Sequence, residues 1–414
     1  MSLIKTSIYT SISQALTIIS GLISIKVVSY KLGPKGMAMV GQYLNTTTLL
    51  TLFASGAIGV GVVKYISQYY DDKPSQFRVI RTAFWITIGC SVVVALIAIL
   101  GSVAFSRTAF KTDDYYLVYI LWGSFLFFTS FSALAANILN GLKLIPWLTI
   151  VNITGTITGL LVTIVLVYQF GVFGALIAAN FTSLILFILH LYFINKYKWF
   201  SLRSLFAKFD TDIVKLLMAF VLMALVSGIM APSIQLLVRD RIINRFSFQE
   251  AGYWQAVTRV SDYYLGFITT VIAVYYLPRL SEIKTNTEIK TEIWKTYKML
   301  LPVVAGMSFL IWLCRYIIIR LVLTPEFLPS AELYGFQFFG DFFKIAGWLL
   351  AYVLIARAMK FWYIFSEIVF SLTYVFLCYV LIERFGIIGA VYGFLINYIL
   401  YWIFMFFLIK AKLK

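Results

Sequence analysis

Six polar residues are the first candidates for chemistry in a chain that is otherwise strongly apolar. Gln255, Arg259 and Asp262 follow one another at spacings of four and three, and so do Gln337, Asp341 and Lys344. Those spacings place each trio on one face of a helix. An ionisable group inside hydrocarbon costs at least ~2.5 kcal/mol, so each one asks for a reason. Arg259 and Lys344 could hold an anion, with arginine suited to bidentate phosphate contact. Asp262 and Asp341 could titrate, or each acid could instead pair with the base three positions away and lock helix packing. Glu367 has no basic residue at helical spacing and is the third acid inside an apolar stretch. Lys26 and Lys64 are further candidates, since a lysine near a helix end also snorkels to the interface. Gln42 and Gln255 sit near the start of the second helix of each half of the chain and add hydrogen-bonding groups. Thr6, Thr10, Ser13, Thr17, Ser20 and Ser24 form a hydroxyl stripe that either lines an aqueous path or admits a close neighbouring helix.

Other chemistries lack their parts. There is one histidine, His190, and the three cysteines show no C-x-x-C spacing, so no metal centre or disulfide framework is expected. No G-x-x-x-x-G-K-[ST] loop appears, and no nucleophile–base constellation marks a catalytic residue. The expectation is a protein that is not an enzyme, needs no cofactor and does not hydrolyse ATP.

The elements that must position these residues are membrane helices. Of the 414 residues 62% are apolar and only 12% charged, with a mean hydropathy of +0.92, which excludes a soluble globular surface. Apolar runs predict twelve helices, near 4–31, 37–68, 79–105, 115–140, 147–169, 174–196, 212–238, 250–279, 296–321, 331–357, 361–382 and 387–409. The polar stretch 196–211 divides them six and six, giving bundles over 1–200 and 201–414. With the N-terminus inside, 21 basic residues face the cytoplasm and 11 the periplasm, so both termini are expected to be cytoplasmic. The net charge of +17 therefore reads as loop topology rather than nucleic-acid binding.

The halves also repeat. Phe170-Gly171-Val172-Phe173-Gly174-Ala175 returns as Phe385-Gly386-Ile387-Ile388-Gly389-Ala390, 215 positions later, and Trp147 falls on Trp362. Two six-helix repeats in parallel are a transporter pattern, with substrate held between the halves. The polar trios of the predicted eighth and tenth helices begin at matching depth, which suggests one shared cavity.

The chain resembles the Wzx-type flippases of the MOP exporter superfamily. The likeness runs from end to end and includes Leu32-Gly33-Pro34-x-Gly36, Lys64-Tyr65-x-x-Gln68-Tyr69 and Trp254-Gln255. It also includes Ser261-Asp262-x-Tyr264-Leu265, Leu277-Pro278-x-Leu280-Ser281 and Gly340-Asp341-x-x-Lys344. The resemblance implies an all-α, bilobed, twelve-helix protein of the bacterial inner membrane. It implies a substrate of undecaprenyl-diphosphate-linked glycan, and work beside a polymerase and a chain-length regulator. Arg259 departs from the small polar residue expected in the enterobacterial common antigen branch, so lipid III and O-antigen units are both kept as substrates. The runner-up is a MATE-like ion-coupled multidrug antiporter, with twelve helices as well.

Overall fold

In the computed structural model, which describes residues 3–196 and 210–413, the chain is helical and shows no strand among the described residues. The helices are α1 (Leu3–Ala54), α2 (Gly59–Gln68), α3 (Lys73–Leu100), α4 (Ser102–Phe110), α5 (Tyr116–Gly141) and α6 (Ile145–Lys196). They continue as α7 (Thr211–Arg245), α8 (Phe248–Val271), α9 (Leu277–Glu282), α10 (Asn286–Leu313) and α11 (Arg315–Val322). The last three are α12 (Ala331–Ala356), α13 (Lys360–Phe385) and α14 (Ile388–Lys412). Most of the expected divider 196–211 lies outside the described residues, including Lys198, Arg203 and Lys208.

Nine helices among the described residues are long and apolar enough to cross a membrane, so the protein is a multi-pass membrane protein. Two of them, α1 and α6, are 52 residues long. At 1.5 Å per residue each far exceeds the ~30 Å of hydrocarbon. Each is really two helical arms that meet at a glycine of positive φ, Gly33 (φ 61°) and Gly171 (φ 56°). A side chain at those dihedrals would be strained, which is why glycine marks both corners.

The expected helix 37–68 is interrupted. α1 ends at Ala54, and a turn with Gly56 (φ 67°) and Ala57 (φ 52°) precedes α2. Gly56 N–H donates to Phe53 O at 3.0 Å and Ala57 N–H to Leu52 O at 3.2 Å, satisfying carbonyls that the helix end would orphan. The expected helix 250–279 is longer and broken differently, with a π-helical stretch Ile272–Tyr276 between α8 and α9. Pro278 follows at the start of α9, where its missing N–H is harmless.

Element boundaries repeat along the chain. α3 and α10 are both 28 residues long and begin 213 positions apart, capped at the same offset by Asp72 and Thr285. α5 and α12 are both 26 residues long and begin 215 positions apart. Their exits match as well. Lys143 and Ala358 both have positive φ, and Leu144 N–H donates to Leu139 O (2.9 Å) as Met359 N–H does to Leu354 O (2.8 Å). Gly171 and Gly386 (φ 69°) complete the series at the same offset of 215.

Two compact units form. Unit 1 holds residues 1–20 and 39–233, and unit 2 holds 21–38 and 234–414. In unit 1, α5 packs between α3 and α6. Its core is a buried cluster that includes Ile58, Val62, Ile66, Ile80, Leu134 and Leu217. In unit 2, α12 is the central helix, packed on α8, α10 and α14. Trp254, Tyr276, Phe327, Tyr334 and Phe338 fill its interior. The middle of α1 belongs here because Gly252 lets α8 approach it. A Cβ at Gly252 would sit 2.0 Å from Pro34 O.

Candidate functional site

The polar residues of unit 2 are carried by α7, α8, α12 and α13. Arg259 lies 11 residues from the start of α8 and Asp341 10 from the start of α12. Both are therefore near the middle of helices of membrane-spanning length. Asp341 is fully buried. Its carboxylate accepts from Ser261 Oγ at 2.7 Å and from Tyr264 OH at 2.8 Å, both on α8. Gln337 Nε2, one turn back on α12, donates to it at 3.4 Å. Tyr264 OH also lies 3.2 Å from Ser308 Oγ of α10, so the network joins three helices.

The two i,i+3 ion pairs do not form. Among the described residues no ion pair within 4.0 Å joins Arg259 to Asp262 or Asp341 to Lys344. Asp262 points out of the bundle and is exposed, while Arg259 is half-buried. Lys344 sits in an aromatic cage instead. Its Nζ is 5.0 Å from the Trp348 ring centre and 5.7 Å from those of Phe394 and Tyr398. Ring faces attract a cation without neutralising it.

Gln255 is buried, and its Oε1 accepts a hydrogen bond from Arg239 Nη2. Arg239 lies just beyond the expected helix 212–238, because the apolar run stops at Val238. α7 in fact continues to Arg245, and Arg239 is 0% exposed, with its guanidinium 5.6 Å from the Trp254 ring centre. The signal was present in Val238, Ile242 and Ile243, all buried, whose spacing continues the helix face past the arginine.

The remaining candidates are dispersed. Glu367 is half-buried on α13, and no ion pair holds it among the described residues. Lys26 also belongs to unit 2, where Nζ donates to Arg320 O at 3.0 Å and to Leu323 O. Those carbonyls close the C-terminal turn of α11, where a cation is favoured by the helix dipole. Gln42 and Lys64 belong to unit 1. Gln42 is buried, at the position matching Gln255, and Lys64 is exposed with Nζ 4.9 Å from the ring centres of Tyr65 and Phe220. Among the described residues no group of three or more His, Cys, Asp or Glu is placed to hold a metal.

This helical fold with a paired boundary pattern is the fold seen in solved transporters of the MOP superfamily. An inward-facing multidrug resistance MATE family transporter superposes with a TM-score of 0.81 over 97% of this chain and 98% of that one, at 14% identity. A MOP superfamily transporter from Pyrococcus furiosus gives 0.72 over 100% and 96%, at 16% identity. At such identities the likeness is one of fold. The sequence is more particular: residues 36–332 match the family model described as polysaccharide biosynthesis protein, and the chain belongs to that family. It is 31% identical to the lipid III flippases of Escherichia coli (strain K12) and Shigella flexneri, across 97% of this chain and 96% of theirs.

Proposed function

We propose that the chain moves undecaprenyl-diphosphate-linked oligosaccharide units from the cytoplasmic to the periplasmic leaflet by alternating access. The units are of the O-antigen or enterobacterial common antigen lipid III type. The observation that carries this reading is end-to-end identity of 31% with lipid III flippases. A diphosphate brings about two negative charges that cannot cross hydrocarbon uncompensated. Arg259 and the caged ammonium of Lys344 are two cations without an ion-paired acid within 4.0 Å among the described residues. Gln42 and Gln255 serve sugar hydroxyls. Lys26 and Lys64 have a lesser share, since each amine is already engaged by carbonyls or rings.

In this reading the chain crosses the bacterial inner membrane twelve times, as two six-helix bundles over 1–200 and 201–414. Nine apolar helices support the count, two of which contain two arms, together with the more charged α8. Both termini lie in the cytoplasm, as the basic-residue asymmetry favours. Translocation makes and breaks no covalent bond in the substrate, so in this reading the chain is no enzyme. With no G-x-x-x-x-G-K-[ST] loop in its sequence it does not draw on ATP. A polymerase and a chain-length regulator receive the product. The bias between states comes from a group whose protonation differs between them, and Glu367, Asp341 and Asp262 are the carriers.

Expression in an Escherichia coli strain lacking its lipid III flippase tests the reading. Restored surface glycan supports it. Resistance to cationic drugs with no restored glycan, from this chain or with O-antigen substrates supplied, would support the antiporter reading.

A further inference from the structure

We infer that unit 2 carries a binding site for an anionic glycerophospholipid, in a groove between α10, α12 and α14 whose mouth is set by Lys290 and Lys410. The groove has a volume of about 590 Å³. Trp294, Phe343, Trp402 and Phe406 wall it, and Ala346 forms a low floor. Of the polar groups buried along it, Tyr297 OH is spent internally, donating to Ala346 O at 2.5 Å, and the Trp402 Nε1 is buried in the wall. What remains is an apolar slot with two exposed ammonium groups at one end.

Three observations select the occupant. The first is length. From Lys290 to Leu301 the groove follows eleven residues of α10. At 1.5 Å per residue that is roughly 16 Å. One leaflet contributes about half of the ~30 Å hydrocarbon core, so the slot matches an acyl chain confined to one leaflet. The second is charge. Of the acids near that end of α10, Glu282 and Glu292 are held by Arg279 at 3.4 and 3.9 Å. Glu288, in the first turn, is exposed and in no ion pair within 4.0 Å among the described residues. Neither Lys290 nor Lys410 is in an ion pair among the described residues. Two lysines outside any ion pair attract a phosphodiester, and basic pockets between membrane helices select anionic headgroups in this way. The third is the wall itself. Indole and phenyl rings next to a basic rim suit the boundary between acyl chain and headgroup.

The experiment uses the full chain, purified and stripped of lipid, with binding read by native mass spectrometry. Phosphatidylglycerol and phosphatidylethanolamine with the same dioleoyl chains are compared. The wild-type protein should prefer phosphatidylglycerol by about tenfold or more, from ~1 kcal/mol per lysine. The double variant Lys290→Gln/Lys410→Gln should lose that preference. The control Lys295→Gln/Lys298→Gln, which removes exposed charge from the same helix outside the groove, should keep it. Dihexanoyl phosphatidylglycerol should bind more weakly than the dioleoyl form.

Four results would overturn the site. They are no headgroup preference in the wild type, equal loss in both double variants, no dependence on chain length, or displacement of phosphatidylglycerol by undecaprenyl phosphate with binding lost in the groove variant. The last would assign the groove to a polyprenyl chain. None of these readings depends on transport, so the site can fail while the flippase reading stands.

Discussion

Tyr264 donates its hydroxyl to Asp341 at 2.8 Å, so the buried acid of α12 is held by a neutral donor on α8 rather than by Lys344 three residues along its own helix. Ser261 shares the same oxygen at 2.7 Å. The arrangement leaves Lys344 among rings and Asp341 among hydroxyls, with no ion pair between them. The proposed function asks this site to accept an anion and to change its protonation, and an ion pair would hinder both.

Removing one donor should therefore weaken the α8–α12 joint. Hydrogen bonds to charged groups contribute ~1.5–3 kcal/mol. Tyr264→Phe and Ser261→Ala should each lower the midpoint of thermal unfolding in detergent. The double variant should lose less than the sum, because both donors serve one oxygen. Additive losses would show that the two bonds act independently.

The same carboxylate competes with Glu367 for the role of proton carrier. Glu367→Gln and Asp341→Asn keep shape and remove titration. The carrier's variant should transport at a rate no longer sensitive to collapse of the proton gradient, while the other retains that sensitivity. Transport in vesicles with and without an uncoupler reads the difference. If both variants stay as sensitive as wild type, neither residue carries the proton.

Arg239 and Gln255 provide a second test of burial. Gln255→Leu removes one acceptor from a fully buried guanidinium, and should cost ~1–3 kcal/mol. Adding Arg239→Met should recover stability, because apolar residues of similar volume replace the polar pair. Thermal unfolding of the three proteins decides it. A double variant no more stable than Gln255→Leu would show that Arg239 is held by more than this contact.

The repeated corner after α13 separates backbone strain from crowding. Gly386 has φ 69° and ψ −153°, a region essentially restricted to glycine, and nothing within 4 Å of a built Cβ, so Gly386→Ala should cost only the ~1–3 kcal/mol of backbone strain. Gly389 has ordinary φ, but a Cβ there would lie 2.2 Å from Leu381 O, so Gly389→Ala should be the more damaging change. Equal loss of folded yield from the two would contradict the close approach of α13 and α14.

Much of this architecture is legible in the amino-acid order. Apolar runs locate the helices, and the Phe-Gly-x-x-Gly-Ala repeat locates corners that prove to share positive φ at Gly171 and Gly386. The matching depth of Arg259 and Asp341 follows from counting residues along α8 and α12. Partners across helices are not legible this way. Spacing alone paired Asp341 with Lys344, because the serine and tyrosine that hold it lie 80 and 77 residues away. Arg239 was lost for a related reason, since a hydropathy window ends at the first charge even where the buried helix face continues. Ser261 and Tyr264 were visible only as members of a family motif, with no contact implied.

The central claim is that this chain carries polyprenyl-diphosphate glycans across a bilayer. Its most direct test is reconstitution of the purified protein in liposomes loaded on one leaflet with a lipid-linked oligosaccharide, scoring glycan that becomes accessible on the other. The account predicts transfer by the wild-type protein, strong loss in Arg259→Ala and Lys344→Ala, and only partial recovery in Arg259→Lys, which lacks the bidentate fork. Transfer at the wild-type rate by both alanine variants would remove the diphosphate site, and no transfer by the wild type of any lipid-linked glycan would contradict the claim itself.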